Sequence, residues 1–322
     1  MPDPRPQFAP TAPWSVLRQR AELLQRVRRF FDERDFLEVE TPLLSKESVV
    51  DVHLEPFLVE TATASGSERR WLQTSPELAM KRMLSAGGTA IYQVTRSFRQ
   101  GEAGPLHNPE FTILEWYKTG DDMRAGMQLL SDFASTLLDT DAADTMEYEA
   151  AFNEHASINP RSASLDELRT RAADAGYESA TDASRDDCLE FIFSEFVSPQ
   201  LGARRPVIVY HFPASQAALA KLSADRPQCA ERFELFYRGI ELANGYHELT
   251  DSKEWQQRAI IANRERARRN REVIPEASAF ISAMEHGLPA SSGTAVGFDR
   301  LVLLATGAKS LEEIMAFPWH LA

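Results

Sequence analysis

The sequence predicts an α+β fold, in which helices cover a sheet and lie largely in separate stretches of the chain. Apolar residues recur at helical spacing over residues 14–31, and apolar and polar residues alternate over 91–99. Sheet-forming runs return at 206–213 and 233–249, after a stretch that is mostly helical and polar. Strands and helices grouped in this way are typical of α+β proteins.

The composition is that of an acidic globular protein. The 322 residues include 35 Lys and Arg against 48 Asp and Glu, which gives a formal net charge of −13. A surface that follows a phosphate backbone needs clustered basic residues, so nucleic acid is the less favoured partner. Cys188 and Cys229 form no disulfide or zinc motif, and no apolar run approaches membrane-spanning length. We expect a soluble cytoplasmic protein with no membrane partner and a flexible N-terminal tail over residues 1–13.

The first elements after the tail are a helix and a strand. Trp14 to Phe31 place apolar residues on one helical face, with basic residues between them. From Phe36 to Pro42 the alternation predicts a strand, which the proline ends. Further on, Thr74-Ser75-Pro76-Glu77 offers an N-cap residue followed by proline at the first helical position, and predicts a helix that Gly87-Gly88 closes.

A strand over 91–99 comes next. Its period-two alternation places Arg99 on the polar face. Residues 121–205 are predicted to be mostly helical, with one helix beginning at Ser164-Leu165-Asp166-Glu167, and they contain no recognisable chemical motif.

Two acidic residues flank a predicted hairpin. Glu234 and Glu241 lie on either side of Tyr237-Arg238-Gly239, and a loop of two or four residues would place both carboxylates on one face, whereas a three-residue loop would separate them. Two adjacent carboxylates repel unless a cation lies between them, and magnesium prefers oxygen ligands together with phosphate. The alternative is a pair of solvated surface acids.

A second polar group follows on the same strand. Alternation places Asn244, Tyr246 and Glu248 on one face, and an amide, a ring and a carboxylate suit an ammonium group. The competing interpretation is an Asn-Gly hairpin turn. Strict alternation puts Glu241 on the face opposite Glu248, so both can face one site only if a β-bulge intervenes, for which Gly245 is the candidate.

Three further segments stand out. Residues 293–300 indicate a glycine-bearing strand and turn into an apolar helix, in which Arg300 could reach a phosphate, although they match neither a Walker loop nor a dinucleotide fingerprint. His107 lies beside Asn108 in a loop and is the one histidine that we single out. The basic run of residues 264–271 is a solvated helix face or a docking surface for an acidic partner.

Several stretches together resemble class II aminoacyl-tRNA synthetases. The three signature motifs are matched by the predicted helix that leads to Phe36-Leu37-Glu38-Val39-Glu40-Thr41-Pro42, by Arg96-Ser97-Phe98-Arg99 through His107-Asn108-Pro109-Glu110-Phe111, and by Gly297-Phe298-Asp299-Arg300. Similarity to the lysyl enzymes extends through Ser75-Pro76-Glu77, Leu114-Glu115-Trp116-Tyr117, Glu231-Arg232-Phe233-Glu234-Leu235 and Glu241-Leu242-Ala243-Asn244-Gly245. The resemblance implies an antiparallel sheet flanked by helices, in one catalytic domain over 14–322 with a helical insertion at about 121–205.

A narrower resemblance is to the elongation factor P (R)-β-lysine ligase family. The residues before Trp14 leave no room for the anticodon-binding domain of a lysyl-tRNA synthetase, and residues 210–216 and Gly293-Thr294-Ala295 are similar to that family. It implies an ATP-dependent, amide-forming, homodimeric ligase that activates (R)-β-lysine and transfers it to a lysine of elongation factor P, with Mg²⁺ and without tRNA. The alternatives are a truncated lysyl-tRNA synthetase-like or other amino-acid-activating amide ligase, and a catalytically silent regulatory paralogue.

The resemblance also implies a role for each matched residue. The catalytic residues would be Arg99 and Arg300, which would bind the ATP phosphates. The magnesium ligands would be Glu234 and Glu241. The nucleotide site would further contain Gln100, Gly101, Glu102, His107, Asn108, Glu241, Leu242 and Gly297. The amino acid would contact Ser75, Pro76, Glu77, Tyr117, Asn244 and Glu248. After Arg99 the family usually has Asn-Glu, whereas Gln100-Gly101-Glu102 stands here, so Glu102 is the candidate for the adenine-side glutamate.

Overall fold

A computed structural model describes residues 8–64 and 66–322. The chain forms two compact units. The first unit consists of Met1–Tyr117, Ser252–Leu288 and Val296–Ala322, and the second of Lys118–Asp251 and Pro289–Ala295. A single catalytic domain over 14–322 with a helical insertion at about 121–205 stays a prediction.

The described residues contain the following elements. The α-helices are α1 (Trp14–Asp32), α2 (Glu77–Ser85), α3 (Met123–Leu138), α4 (Tyr148–His155), α5 (Leu165–Asp174), α6 (Arg185–Ile192), α7 (Ser252–Arg268), α8 (Ser278–Gly287) and α9 (Phe298–Thr306). The strands are β1 (Leu37–Glu38), β2 (Leu44–Ser45), β3 (Leu58–Thr63), β4 (Gly66–Leu72), β5 (Ala90–Phe98), β6 (Glu110–Thr119), β7 (Asp144–Glu147), β8 (Val207–Tyr210), β9 (Arg232–Tyr237), β10 (Ile240–His247) and β11 (Ser291–Gly297). Short 3₁₀ or π segments are Ala180–Asp182, Phe193–Val197, Ser198–Gln200, Ala214–Gln216, Leu311–Glu313 and Trp319–Leu321.

The first predicted helix is confirmed as α1. Its Phe31 stacks on Tyr92 of β5 with 4.5 Å between ring centroids, and contacts Trp116 of β6 at 5.3 Å. Aromatic rings bury a large apolar area and prefer offset or edge contacts. This cluster therefore stabilises the packing of α1 on β5 and β6.

The strand predicted over 36–42 is wrong in length. Only Leu37–Glu38 pairs with β5, in parallel orientation. Beyond it, the Thr41 hydroxyl donates to Gln93 Oε1 at 3.0 Å, and Leu44–Ser45 joins a separate antiparallel sheet of strand order β2-β4-β3. The chain therefore leaves one sheet for another, and Pro42, which has no N–H group, lies at the crossing.

The helix predicted after Thr74 is confirmed as α2, with a different start. Pro76 occupies the N-cap rather than the first helical position, and no side chain caps the helix. At the other end Gly87 has φ +105°, and the Gly88 N–H donates to the Met83 carbonyl at 2.9 Å, as predicted for the glycine pair.

In the first unit, β5 lies between β1 and β6. β5 confirms the strand predicted over 91–99, and Arg99 follows its last residue. Gln93 and Ser97, on the predicted polar face, are buried. The polar face of this strand is therefore covered by protein rather than open to water.

The second unit contains strands in the order β11-β10-β9-β8-β7. The β9 strand runs antiparallel to β8 and β10, and β7 runs parallel to β8, so the sheet is mixed. The strands predicted over 206–213 and 233–249 are confirmed by β8, β9 and β10. Helices α4, α5 and α6 cover this part of the sheet through a core that includes Phe152, Leu189 and Phe236.

Local signals in the helical stretch are also confirmed. Ser164 forms a capping box with Glu167 at the start of α5. Cys188 and Cys229 are buried free thiols, and burial raises the pKa of both. Because a thiol must ionise to react, both are inert core residues.

The predicted flexible tail falls in part on residues 1–7, which lie outside the described residues. It does not extend to residue 13, because the Thr11 and Ala12 N–H groups donate to the Ala316 and Met315 carbonyls at 2.9 and 3.1 Å. Among the helices of residues 8–64 and 66–322, none has the length and apolar character needed to cross a membrane.

Candidate active site

The first unit holds Arg99 by three kinds of contact. Its Nε donates to the Thr74 carbonyl at 3.4 Å, its guanidinium lies 4.9 Å from the centre of the Phe111 ring, and Nη1 is 3.8 Å from Glu102 Oε1. Its own N–H donates to the Pro109 carbonyl at 2.8 Å. The side chain remains 26% exposed, so its charge is available to an anion. The structure thus brings the predicted residues Arg99 and Glu102 together.

The residues after Arg99 form a small closed loop. Gly104 and His107 exchange backbone hydrogen bonds of 3.0 and 3.2 Å, and Gly101 has φ +83°, which favours glycine. The Gln100 N–H donates to the Glu55 carbonyl at 2.7 Å. The loop is therefore closed at its tip and tied at its first residue to another segment.

Arg300 lies against the same loop. It is in the first turn of α9, whose N-cap is Gly297, and its Nη2 donates to His107 Nε2 at 2.6 Å. Its Nε is 3.3 Å from the Leu106 carbonyl. Because arginine only donates, His107 Nε2 accepts, which places the ring proton on Nδ1. The predicted residues His107 and Arg300 are thus in direct contact.

A network of polar contacts that the sequence did not indicate anchors the start of α9. The buried Asp299 carboxylate accepts from the Thr112 N–H at 2.7 Å and pairs with Arg20 Nη2 at 2.6 Å. Arg20 also donates to the Thr112 hydroxyl at 2.8 Å. Asp299 follows two residues after Gly297 in the matched motif, but only the fold shows that its partner is on α1.

Asn108 is held at both ends of its amide. Its Nδ2 donates to the Glu110 carbonyl at 2.6 Å, and its Oδ1 accepts from the Trp319 N–H at 2.9 Å. The residue therefore ties the C-terminal segment to the loop. Its predicted contact with a nucleotide stays a prediction.

Helix α2 contributes a buried ion pair. Lys81 Nζ lies 2.5 Å from Glu77 Oε1 and 5.8 Å from the centre of the Tyr117 ring. The Tyr117 hydroxyl donates to Glu115 Oε1 at 2.5 Å. Ser75 and Pro76 immediately precede this helix. Lys81 was not among the predicted residues, although its position four residues after Glu77 is the spacing of a helical ion pair.

In the second unit, the predicted hairpin has a two-residue turn. Ile240 pairs with Tyr237, and the turn residues Arg238 and Gly239 have φ +51° and +75°. Two successive positive φ angles define a type I′ turn, whose twist matches that of the flanking strands. The two-residue loop is one of the two lengths for which the sequence predicts both carboxylates on one face.

A β-bulge interrupts the hairpin between Glu241 and Ala243. Glu241 pairs with Phe236, whereas Asn244 pairs with Glu234. Because positions 234 and 236 share a face of β9, Glu234, Glu241 and Asn244 lie on the same face.

The bulge that the sequence required is therefore present, at Leu242 rather than at Gly245. Gly245 serves close packing instead: a Cβ atom there would clash with the Phe233 ring and lie 2.8 Å from Thr294 Oγ1. The predicted position was wrong because a glycine in a strand indicates either a bulge or a close approach, and the sequence does not distinguish the two.

Glu234 is a buried acid with a fixed partner. Arg232 donates to its carboxylate, donates to the Gln216 carbonyl at 2.7 Å, and lies 4.7 Å from the centre of the Phe212 ring. Burial, together with repulsion from Glu241, raises the pKa of Glu234 to about 7, against the opposing effect of Arg232. The two predicted acids are thus close enough to interact.

The same face continues with groups suited to an ammonium ion. The Asn244 Oδ1 atom is buried and accepts no hydrogen bond from the described residues. Glu248 is buried, and its N–H donates to the Ser291 carbonyl at 2.9 Å. A buried carbonyl oxygen without a donor is costly, so a donating ligand at Asn244 would relieve that cost.

The two carboxylates fit magnesium only as part of a larger ligand set. Residues 8–64 and 66–322 contain no group of three His, Cys, Asp or Glu side chains placed to hold a metal. Magnesium is commonly bound by one or two carboxylates, with phosphate oxygens and water completing its shell. Glu234 and Glu241 could supply the protein part of such a set, and their role as magnesium ligands stays a prediction.

The basic run of residues 264–271 is not a free patch. Arg266 is fully buried, and Arg271 Nη1 donates to the Val52 carbonyl at 2.8 Å. Arg268 and Arg269 both donate to the Glu265 carboxylate, and these hydrogen bonds lower the pKa of Glu265 to about 2. The hypothesis of a solvated helix face is therefore wrong for Arg266, whereas Arg264 and Arg268 are exposed.

Comparison with known proteins places these features in a family. The family model described as tRNA synthetases class II (D, K and N) matches residues 11–320. The chain is 46% identical over 315 residues to an elongation factor P–(R)-β-lysine ligase of Edwardsiella ictaluri, covering 96% of this chain and 97% of the relative. Proteins of the same name from Yersinia enterocolitica and Avibacterium paragallinarum are 46% and 43% identical, each over 97% of both chains.

Proposed function

The chain belongs to the class II tRNA synthetase family, among the elongation factor P–(R)-β-lysine ligases, and on that premise we propose that it activates (R)-β-lysine with ATP and transfers it to a lysine side chain of elongation factor P. The family match confirms the predicted class II fold. The observation that carries the proposal is the bulged hairpin, which places the carboxylates of Glu234 and Glu241 and the amide of Asn244 on one face.

In the first step, a substrate carboxylate oxygen attacks the α-phosphorus of ATP and pyrophosphate leaves. No general base is required because the nucleophile is already ionised. The barrier is repulsion between anions, and preorganised cations lower it. We assign this role to Arg99 and Arg300, since both are held by fixed contacts around the loop 100–107.

Magnesium, when bound with ATP, would neutralise phosphate charge. Glu234 and Glu241 would hold it. Arg232 keeps the Glu234 carboxylate oriented in advance of binding. Within the first unit, the nucleotide would also contact Gln100, Gly101, Glu102, His107, Asn108 and Gly297, and within the second, Leu242.

We assign the ammonium groups of the diamino acid to Glu77, Tyr117, Asn244 and Glu248, and its carboxylate end to the segment Ser75-Pro76. The buried Asn244 oxygen supports this assignment because it requires a donor. Glu77 already pairs with Lys81, but a carboxylate has room for several hydrogen bonds.

In the second step, the neutral amine of an acceptor lysine attacks the adenylate carbonyl, an amide bond forms and AMP leaves. A protein acceptor is favoured over tRNA by the net charge of −13 and by the engagement of most arginines of residues 264–271 within the chain. Arg266 is buried, Arg268 and Arg269 bind Glu265, and Arg271 donates to the Val52 carbonyl. Elongation factor P works in translation, which supports a cytoplasmic location.

We further propose a homodimer. An open groove of about 690 Å³ in the first unit is lined by Pro42 and by residues of α2 and α8. Exposed leucines 37, 43 and 44 lie in the neighbouring segment. Sedimentation at low and high protein concentration tests this proposal, and a monomer at all concentrations contradicts it.

Amino-acid-dependent exchange between ATP and pyrophosphate tests the first step. We expect exchange to rise with (R)-β-lysine more than with lysine, and little with norleucine, which lacks the second ammonium group. Equal exchange with norleucine contradicts a diamino substrate. No exchange with any amino acid favours the catalytically silent paralogue.

The acceptor is tested by offering labelled (R)-β-lysine to purified elongation factor P and to total tRNA in parallel. We expect acid-precipitable label on the protein that resists mild base, as an amide does. Base-labile label on tRNA, with none on the protein, supports a tRNA-charging enzyme instead.

A further inference from the structure

The fully buried Arg266 on α7 has no assigned role in the proposed reaction. Its Nε donates to the Glu272 carbonyl at 2.8 Å, and Nη1 donates to the carbonyls of Asp51 and Leu54 at 2.8 and 2.7 Å. Its Nη2 donates to Glu55 Oε2 at 2.9 Å. Burying a guanidinium is costly unless its donors are satisfied, and here three of the four hydrogen bonds go to one irregular segment, residues 51–55.

The segment 51–55 is irregular, and Arg266 of α7 binds two of its backbone carbonyls. It has no strand or helix partner of its own, and Arg271 Nη1 supplies a further donor to the Val52 carbonyl at 2.8 Å. Within the segment, Asp51 Oδ1 accepts from the N–H groups of His53 and Leu54 at 2.6 and 3.1 Å. Arg266 of α7 and Arg271, which follows the end of that helix, therefore help to fix where this backbone lies.

The last residue of the segment reaches the nucleotide loop. The Glu55 carbonyl accepts the Gln100 N–H at 2.7 Å, and Gln100 directly follows Arg99. On the other side, the Arg99 N–H donates to the Pro109 carbonyl at 2.8 Å. A shift of residues 51–55 would thus move the backbone from which the Arg99 guanidinium extends.

We propose that Arg266 is a positioning residue for adenylation, acting through residues 51–55 and Gln100 on Arg99. This inference rests on the proposed function of Arg99. An apolar residue could join α7 to its neighbours at lower desolvation cost, but it could not hold the carbonyls of Asp51 and Leu54 and the carboxylate of Glu55 in one plane.

The chain offers graded variants and a matched control. Arg266→Lys keeps the charge but loses the planar fork of donors. Glu55→Gln keeps the backbone carbonyl that binds Gln100 and weakens one charge-assisted bond. Asn263→Ala is the control, because Asn263 lies on the same helix and exchanges two hydrogen bonds with Ile274, of 2.8 and 3.0 Å. In the described structure Ile274 forms no backbone hydrogen bond with Gln100.

Pyrophosphate exchange at saturating amino acid separates positioning from folding. We expect Arg266→Lys to lower kcat/KM for ATP by about 10- to 100-fold, the scale of a misplaced reacting group, while KM for the amino acid is unchanged. Glu55→Gln should lower kcat/KM for ATP by roughly fivefold, which corresponds to about 1 kcal/mol. Asn263→Ala should lower Tm and leave kcat/KM for ATP at the wild-type value.

Two results overturn the proposal: a folded Arg266→Lys variant with wild-type kcat/KM for ATP, or an equal loss in Asn263→Ala. If Arg266→Lys does not fold, Glu55→Gln decides, and an unchanged kcat/KM for ATP overturns it. Calorimetry of ATP binding, without amino acid, separates failure of the role of Arg266 from failure of the proposed function. Wild-type protein that binds no ATP contradicts the function, whereas equal binding and exchange by wild type and variants contradict only the role of Arg266.

Discussion

Arg20 on α1 and Asp299 at the start of α9 form a largely buried ion pair, with 2.6 Å between Nη2 and Oδ1. The Asp299 carboxylate also accepts the Thr112 N–H of β6, so one acid joins α1, β6 and the start of α9. Because Asp299 immediately precedes Arg300, the pair sets the position of the helix turn from which Arg300 extends.

We predict that Arg20→Met lowers the free energy of unfolding by about 3 kcal/mol, because the Asp299 charge loses its buried partner. Urea denaturation measures the change. The control is Arg18→Met on the exposed side of the same helix, for which we expect a change within about 0.5 kcal/mol. Equal stability of the two variants would show that the ion pair contributes nothing.

Arg99→Ala should lower adenylate formation by roughly 10²-fold or more, the usual effect of deleting one preorganised donor, without unfolding the protein. Pyrophosphate exchange and circular dichroism measure the two properties. Arg171→Ala is a suitable control, because Arg171 also stacks on a ring, 3.7 Å from the centre of Phe196, in a helix with no predicted site residue. Near-normal exchange by a folded Arg99 variant would refute the assignment.

Gly245→Ala should destabilise the second unit by about 1–3 kcal/mol, because the added methyl group would overlap the Phe233 ring. Thermal unfolding measures the loss. Gly104→Ala provides the comparison, since a Cβ atom there meets nothing within 4 Å and Gly104 does not have positive φ. A Tm for Gly245→Ala as high as that of Gly104→Ala would contradict the close packing of β10 on β9.

His211 should make the protein less stable in mild acid. Burial lowers its pKa from 6.5, although Glu147 and Glu231 oppose this effect and Arg226 reinforces it. As the pH falls below the unfolded pKa, the unfolded chain takes up a proton that the folded chain resists, so the free energy of unfolding falls with pH.

The variant that tests this is His211→Asn, because His211 has φ +60° and asparagine tolerates positive φ. We expect the difference in unfolding free energy between variant and wild type to shift in favour of the variant as the pH falls from about 7.5 to about 5.5. A difference that is constant with pH would contradict a neutral buried His211.

Elements with a local cause could be predicted from the sequence. The apolar periodicity of α1, the helix start at Ser164 and the hairpin around Arg238-Gly239 depend on neighbouring residues, and all are present. The motif residues Arg99, His107 and Arg300 were also identified from the sequence, because their spacing resembles a known family. Contact between His107 and Arg300 follows only from the structure.

Tertiary structure decided the features that depend on partners distant in the chain. Alternation required a bulge for Glu241 and Glu248 to face one site, but its position at Leu242 depends on the register with β9. The basic run around Arg266 suggested a solvated helix face or a docking surface, yet Arg266 is buried. It can be buried because the Asp51 and Leu54 carbonyls of another segment accept its hydrogen bonds. Local propensity reports the conformation of a segment, whereas burial and pairing depend on which other segment meets it, and that information is distributed over the whole chain.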